Sequence, residues 1–354
     1  MYFARPCITT LFCKELIIMK PYIKPKLIFL FFTGAIIILA AFEHDTAFPT
    51  SLTPVTGSVV SQDHIEDRPG REIPLPPNET IEAFAYNAVK NSLCAISHAH
   101  STYRLYSLGQ NGSWNTPQQW NVSPDEELLH FVYDPDGKLY ACRKTTRGKK
   151  SRQSLVRLHK NGRITSIILN DLEKVPKTSY DKNRKANGIR NPHDITDIRF
   201  SGTALAITYR SHAVKFYNIA EGQALGPDSV TGAAGQNIFY DLHYLSPGTS
   251  TNSDMLQLNY YDIRTGETEY TADIPSSSRH TIWLANYRNN VCLLTSNGLY
   301  TGTCTDKTFT RKLSFILPSG IRILSLQAAR DDVIYIAWMD EEDAPHLTSL
   351  TAPV

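Results

Sequence analysis

Cysteine is scarce in this chain, with six in 354 residues. Two of them precede every β-rich segment, and the other four are far apart, at Cys94, Cys142, Cys292 and Cys304. Because no Cys-x-x-Cys pair and no Cys/His cluster with ligand spacing occurs, no metal site is expected. Cys94 and Cys142 hold matching positions in neighbouring sequence units. Two buried thiols are favoured there, and a disulfide between the units is the alternative.

Sequence motifs for catalysis and cofactor binding are missing as well. The chain has no Gly-rich phosphate loop, and it has no serine nucleophile elbow followed by the acid and histidine of a triad. We therefore expect no cofactor and no catalytic residue of a recognised type.

Long apolar runs are limited to one, LIFLFFTGAIIILAAF at 27–42, which lysines precede and acids follow. This order predicts a cytoplasmic basic N-terminus at 1–26, whose true start could be Met19, and export of the remainder. Sixteen residues is close to the lower limit of about 17 for a spanning helix and is long for a signal-peptide core. We predict an uncleaved signal-anchor on a single-pass membrane protein, with a secreted protein after cleavage as the alternative.

The composition changes twice after this run. Residues 43–78 contain six prolines and little apolar periodicity, which predicts an extended spacer. From 79 to 354, short runs rich in Val, Ile, Tyr and Phe alternate with Gly, Asn and Asp. No helical period of any length interrupts them, so we predict one all-β domain at 79–354.

One turn recurs within this domain. VKFYNIAEGQ (214–223) and LNYYDIRTGE (258–267) both contain an aromatic pair, then Asn218 or Asp262, then an isoleucine and a glycine. Looser copies upstream reach the same type of turn, so that four turn glycines are predicted, at Gly112, Gly162, Gly222 and Gly266. Each copy is preceded by two further β-rich runs, and the first run of each unit begins near residue 81, 128, 195, 238, 281 or 322.

Six units of this length, each with up to four strands, are typical of a β-propeller. A single blade cannot bury both of its faces, whereas a ring of blades buries each face against a neighbour. We predict an all-β propeller of six four-stranded blades, with seven as the alternative if the segment 164–194 contains another. The last unit ends before a fourth strand. REIPL (71–75) or GSVVSQ (57–62) would supply it from the N-terminal side.

The unit at 193–223 resembles a WD repeat. His193 stands at the place of the family's structural histidine, and VKFYN stands where the family has a strand ending in Trp-Asp. Tyr217 and Tyr261 replace that tryptophan. The departure points to the wider WD-repeat-like propeller superfamily, and the resemblance implies a fold and not a function.

Basic residues are concentrated between Arg143 and Arg190, where fifteen Lys and Arg accompany three acids, a local charge of +12. The rest of the chain has a charge of −10. A solvated loop, or a surface for an anionic partner, would have this composition. Nucleic acid is not expected, because no recognised binding fold is present and only Tyr180 is available for stacking. The candidate binding residues are Arg147, Lys149, Lys150, Arg152, Lys182, Arg184 and Lys185.

These observations predict a membrane-anchored extracytoplasmic propeller that binds a protein or an anionic envelope polymer without catalysis. One alternative is a propeller hydrolase acting on glycans, with Asp194, Asp197 and Asp241 as channel acids, since paired carboxylates about 5–10 Å apart would suit that reaction. Another is a sensory input domain. The histidines that come just before predicted first strands are interpreted as structural residues at the blade entries, namely His130, His193 and His280.

Overall fold

The computed structural model describes residues 70–351 except 149, 175–190, 227–229, 233, 249–254, 276–282, 296–297, 304–308 and 315–320. Within this part of the chain no helix is both long enough and apolar enough to cross a membrane. The predicted segments 1–26 and 27–42 lie outside the described residues, as do GSVVSQ and the spacer up to residue 69.

The described residues form 24 strands and one short 3₁₀ turn, Arg330–Asp332. The first thirteen strands are β1 (Arg71–Glu72), β2 (Ile81–Asn87), β3 (Ser92–Ala99), β4 (Thr102–Ser107), β5 (Gln118–Asn121), β6 (Glu126–Tyr133), β7 (Leu139–Arg147), β8 (Lys150–Leu158), β9 (Ile164–Ile167), β10 (Ile195–Ser201), β11 (Ala204–Tyr209), β12 (Val214–Asn218) and β13 (Gln223–Leu225). The remainder are β14 (Ile238–Tyr240), β15 (His243–Gly248), β16 (Met255–Asp262), β17 (Glu267–Pro275), β18 (Trp283–Tyr287), β19 (Asn290–Thr295), β20 (Gly298–Thr303), β21 (Thr310–Ser314), β22 (Arg322–Ala328), β23 (Val333–Met339) and β24 (Pro345–Thr351).

These strands form six antiparallel sheets of four strands each, counted over the described residues. Blades 1 to 5 are meanders of consecutive strands, β2–β5, β6–β9, β10–β13, β14–β17 and β18–β21. Blade 6 has the order β1-β24-β23-β22. The prediction of a six-bladed propeller is confirmed, and the seven-bladed alternative is wrong for the part of the chain that is described.

A strand from the N-terminal side of the ring completes blade 6, as was predicted for the REIPL segment. Arg71 and Glu72 pair with β24, and the backbone N–H of Ile73 donates to Leu347 O at 2.8 Å. His346 lies between Glu72 (3.3 Å) and Asp340 (3.0 Å). Burial alone would lower the pKa of His346, but these hydrogen bonds outweigh burial and raise it.

The recurring turn has the same structure in blades 3 and 4. Asn218 Oδ1 accepts the N–H two residues later at 3.0 Å, and Asp262 Oδ1 does the same at 2.7 Å. Their carbonyls accept the N–H groups of Gly222 and Gly266. The four predicted turn glycines all have positive φ, between 68° and 82°, which L side chains adopt only with strain. They connect the third and fourth strands of blades 1 to 4.

The core consists of apolar clusters between neighbouring blades. Trp120 of blade 1 is 1% exposed, and its indole N–H donates to His159 O of blade 2 at 2.8 Å. Tyr103 of blade 1 accepts the N–H of Leu128 at the same interface. The described cysteines are buried and free, so the thiol interpretation of the first two is confirmed: Cys94, Cys142 and Cys292. Cys304 lies outside the described residues.

Candidate functional site

The first strands of the six blades surround a central channel of about 1010 Å³. Four of them contain a bulge, which lies near the start of β2, β10 and β22 and in the middle of β6. A bulge adds an unpaired residue and redirects its side chain. The four bulges coincide with channel-lining residues, namely Glu82, His130, Thr196 and Leu324. Sequence alternation alone does not reveal these positions.

His130 lies in the bulge of β6 and has a positive φ of 55°. Its Nε2 lies 2.9 Å from the carbonyl oxygen of Ile195 in blade 3. The imidazole can therefore donate a hydrogen bond to this oxygen. Burial lowers the pKa of His130, and this effect outweighs the opposing charge of Asp197. The histidine was expected just before a first strand. It lies instead within one, and it links blades 2 and 3 along the channel.

Neither of the other two predicted histidines is described beside His130 in the channel. His193 precedes β10 and lines a second cavity beside blade 2, not the channel. His280 lies outside the described residues. Among the described residues no group of three or more His, Cys, Asp or Glu side chains is placed to bind a metal ion.

Asp197 is the predicted acid with the most hydrogen bonds, and its side chain is 14% exposed. Its Oδ1 accepts the N–H of Ile198 at 2.9 Å. Its Oδ2 accepts three donors, Arg199 Nε (3.1 Å), Gly235 N (3.3 Å) and Asn237 Nδ2 (3.3 Å). These contacts join blade 3 to blade 4 and occupy most of the lone pairs of the carboxylate.

Asp194 and Asp241 lie in different surroundings. Asp194 is 8% exposed, lies 3.6 Å from Arg210 and lines the second cavity. Asp241 is exposed, has a φ of 46° in the turn after β14, and lines the far end of the channel. Two of the three predicted acids, Asp197 and Asp241, therefore line the same channel, whereas Asp194 lines the second cavity.

Aromatic side chains line the end of the channel where the first strands finish. The rings of Tyr86 and Tyr287 meet edge to face at 6.1 Å between centroids, although they belong to blades 1 and 5. The Tyr86 hydroxyl accepts the N–H of Arg330 of blade 6 and contacts Asn91. Arg288 stacks on Tyr287 at 5.5 Å. Residues of blades 1, 5 and 6 therefore meet at this end of the channel.

The described part of the predicted basic surface is the hairpin of β7 and β8. Its two strands have nine residues each and meet at the pair Arg147 and Lys150. The side chains of Arg147 and Arg152 are 84% and 82% exposed. The remaining predicted binding residues lie outside the described residues: Lys149, Lys182, Arg184 and Lys185.

The cavity next to this hairpin has a volume of about 470 Å³. Lys150, Arg152 and His193 line it, together with Glu173 and Asp194. Basic and acidic groups therefore both line this cavity.

Comparison with known proteins gives little beyond the fold. No protein-family model matches the chain, and no curated protein sequence matches it. Solved structures do match, among them the crystal structure of a candidate gluconolactonase at a TM-score of 0.47 and 12% identity. That match covers 80% of this chain and 91% of the other. A likeness at this level supports no statement about activity.

Proposed function

We propose that this chain is a membrane-anchored extracytoplasmic β-propeller that binds an anionic envelope partner and performs no chemistry on it. The observation that supports this proposal is the β7–β8 hairpin, whose tip presents Arg147 and Arg152 almost fully to solvent. Propellers commonly bind through the loops and turns at their rims, because the strands are occupied in forming the ring.

The two arginines of the hairpin already form weak ion pairs with carboxylates of the same chain. Arg147 pairs with Asp125 at 3.4 Å, and Arg152 pairs with Glu173 at 2.9 Å. Ion pairs this exposed contribute only about 0–1 kcal/mol. A polyanion that offers several charges at once would replace them at low cost, which suits a surface for sulfate, phosphate or carboxylate groups.

The positions of two of the predicted acids, Asp194 and Asp197, favour binding over hydrolysis. A general acid or base needs a free proton-transfer position facing the substrate. Asp197 uses its oxygens to hold Arg199 and blade 4, while Asp194 lines a different cavity. The hydrolase alternative would have to pair Asp197 with another carboxylate of the channel, such as Asp241.

We also infer that the chain belongs with the WD-repeat-like propellers. The turn shared by Asn218 and Asp262 supports this inference, since a polar side chain there closes the turn before the outer strand. The inference concerns ancestry and adds nothing about the partner.

The hairpin proposal predicts a loss of polyanion binding when its charges are removed. The variant Arg147→Ala, Lys150→Ala, Arg152→Ala is expected to bind immobilised dextran sulfate at least tenfold more weakly, since each basic group near an anionic surface is worth about 1 kcal/mol. Binding of the full chain in detergent would be measured at low salt, with neutral dextran as the reference surface.

A matched control removes three exposed basic residues elsewhere, Lys90, Arg322 and Arg330. This variant has the same net charge as the hairpin variant. An equal loss in both variants would contradict a dedicated surface, and so would full-strength binding by the hairpin variant.

The topology is tested on intact cells. With an epitope tag at the C-terminus, we expect external protease to remove the tag from a full-length, membrane-bound protein, because 27–42 would hold the chain with its propeller outside. A soluble product that begins near Phe42 would contradict the anchor. A tag protected in intact cells would contradict the extracytoplasmic location.

A further inference from the structure

Arg199 combines a fixed orientation with unused donors. Its side chain is 23% exposed and lines the channel. Nε donates to Asp197 at 3.1 Å, which fixes the plane of the guanidinium. Within the described part of the chain, its two terminal nitrogens have no hydrogen-bond partner. A guanidinium held in this way presents its outer edge, two parallel N–H groups, to the channel.

The indole of Trp283 forms an apolar wall beside Arg199, and Gly235 leaves the space that this ring occupies. Gly235 has a φ of +71°, and a Cβ at this position would overlap the indole of Trp283, so the ring lies directly on the backbone. The N–H of Gly235 shares its acceptor, Asp197 Oδ2, with Arg199. The guanidinium and the half-buried Trp283 ring therefore flank the same backbone segment, and both line the channel.

The other charges of the channel limit what can bind there. Its described lining contains Glu82, Asp134 and Asp241 in addition to Asp197, against the two arginines Arg199 and Arg288. A second negative charge on a ligand would face these carboxylates. One carboxylate can still meet Arg199, because Asp197 occupies only the Nε side of the guanidinium.

We propose that the channel binds a small aromatic or aliphatic monocarboxylate, with its carboxylate on the outer edge of Arg199 and its apolar body against Trp283. The planar fork of arginine matches the two oxygens of a carboxylate. Small-molecule sites commonly combine an apolar wall with a few oriented polar groups, and Trp283 and Arg199 supply these two elements here. This site is separate from the β7–β8 hairpin.

The experiment measures binding of 4-fluorophenylacetate to the full chain in detergent by the ¹⁹F line width. The neutral probe of the same shape is 2-(4-fluorophenyl)ethanol, and inorganic phosphate is added as a competitor. We expect the acid to bind, the alcohol to bind at least tenfold more weakly, and phosphate to compete poorly. Loss of a hydrogen-bonded charge is worth a factor of about ten or more.

The variant Arg199→Gln should weaken binding of the acid at least tenfold. Arg288→Gln is the matched control, with the same loss of charge at a channel-lining residue just after β18, and should bind normally. Because Arg199→Gln leaves Asp197 without its cation, the double variant Asp197→Asn, Arg199→Gln removes the pair together and should show the same loss in a folded protein.

Five results would overturn the proposal, of which the first four concern relative binding. These four are equal binding of the acid and the alcohol, unchanged binding by either Arg199 variant, an equal loss in Arg288→Gln, and displacement of the acid by phosphate at similar concentration. Absence of binding by the acid over its soluble range would overturn it as well.

Discussion

Replacing Gly222 with alanine is expected to destabilise the propeller by about 3 kcal/mol or more. Gly222 closes the recurring turn of blade 3 with a φ of +68°, and a Cβ there would overlap the backbone carbonyl oxygen of Ile168 in blade 2. The Asn170 N–H also donates to the Gly222 carbonyl at 2.8 Å. A methyl group would therefore strain the turn and separate two neighbouring blades.

A variant at Gly202 distinguishes the backbone strain from the steric overlap with the neighbouring blade. It has a similar φ of +58°, and nothing lies within 4 Å of the position of its Cβ. Gly202→Ala should cost only the backbone strain, about 1–2 kcal/mol. Urea unfolding of both variants and of the parent measures the difference. If the two variants lost the same stability, the close approach of blade 2 to Gly222 would be contradicted.

Removing the Glu79 carboxylate is expected to cost about 3 kcal/mol. Glu79 comes just before β2, and its side chain is 13% exposed. It accepts hydrogen bonds from Ser97 (2.6 Å), Tyr106 (2.6 Å) and Arg104 (3.1 Å). In Glu79→Ala the Ser97 hydroxyl, which is buried, loses its acceptor, and Arg104 loses its ion pair.

The effect should depend on pH. Hydrogen bonds from Ser97 and Tyr106, followed by the charge of Arg104, hold the pKa of Glu79 below 4.5. Its stabilisation is therefore complete above about pH 4.5 and is lost as the pH falls through the lowered pKa. Burial and the Glu79 hydrogen bond raise the pKa of Tyr106 to about 12.

Unfolding free energies of the parent and Glu79→Ala, measured between neutral pH and pH 3, test this prediction. Glu341→Ala, in an exposed turn, is the control and should change stability by less than about 0.5 kcal/mol. A gap between parent and Glu79→Ala that stayed constant down to pH 3 would contradict the proposed role of the ionised carboxylate.

The architecture could be predicted because its signals are local. Each blade repeats alternating apolar residues and turn glycines within one stretch of chain, so first strands expected near 81, 195, 238 and 322 begin at those residues. The strand predicted near 128 begins at Glu126 instead, because its first two residues are acids that carry no apolar signal. Even the closing strand could be anticipated, since the last unit was one strand short.

The candidate site was harder to predict because it depends on contacts between blades. Arg199 was missed, although its position two residues after Asp197 on one strand places both side chains on the same face. Gly235 and Asn237 of the next blade orient Asp197, and with it Arg199, by donating hydrogen bonds to the Asp197 carboxylate. The role of Glu79 was missed for a different reason, since its partners belong to the same blade but follow it by 18 to 27 residues.

The shared sixth blade affects how the molecule reaches its native state. Strand β1 and its partner β24 are joined by a contact 278 residues apart in sequence. Blades 1 to 5 can each form from one continuous segment as it is synthesised, whereas blade 6 cannot be completed until β24 exists. Long-range closure of this kind is slow. Until it occurs, the two end blades expose apolar faces, so ring closure is the step at which the nascent chain is most exposed to aggregation.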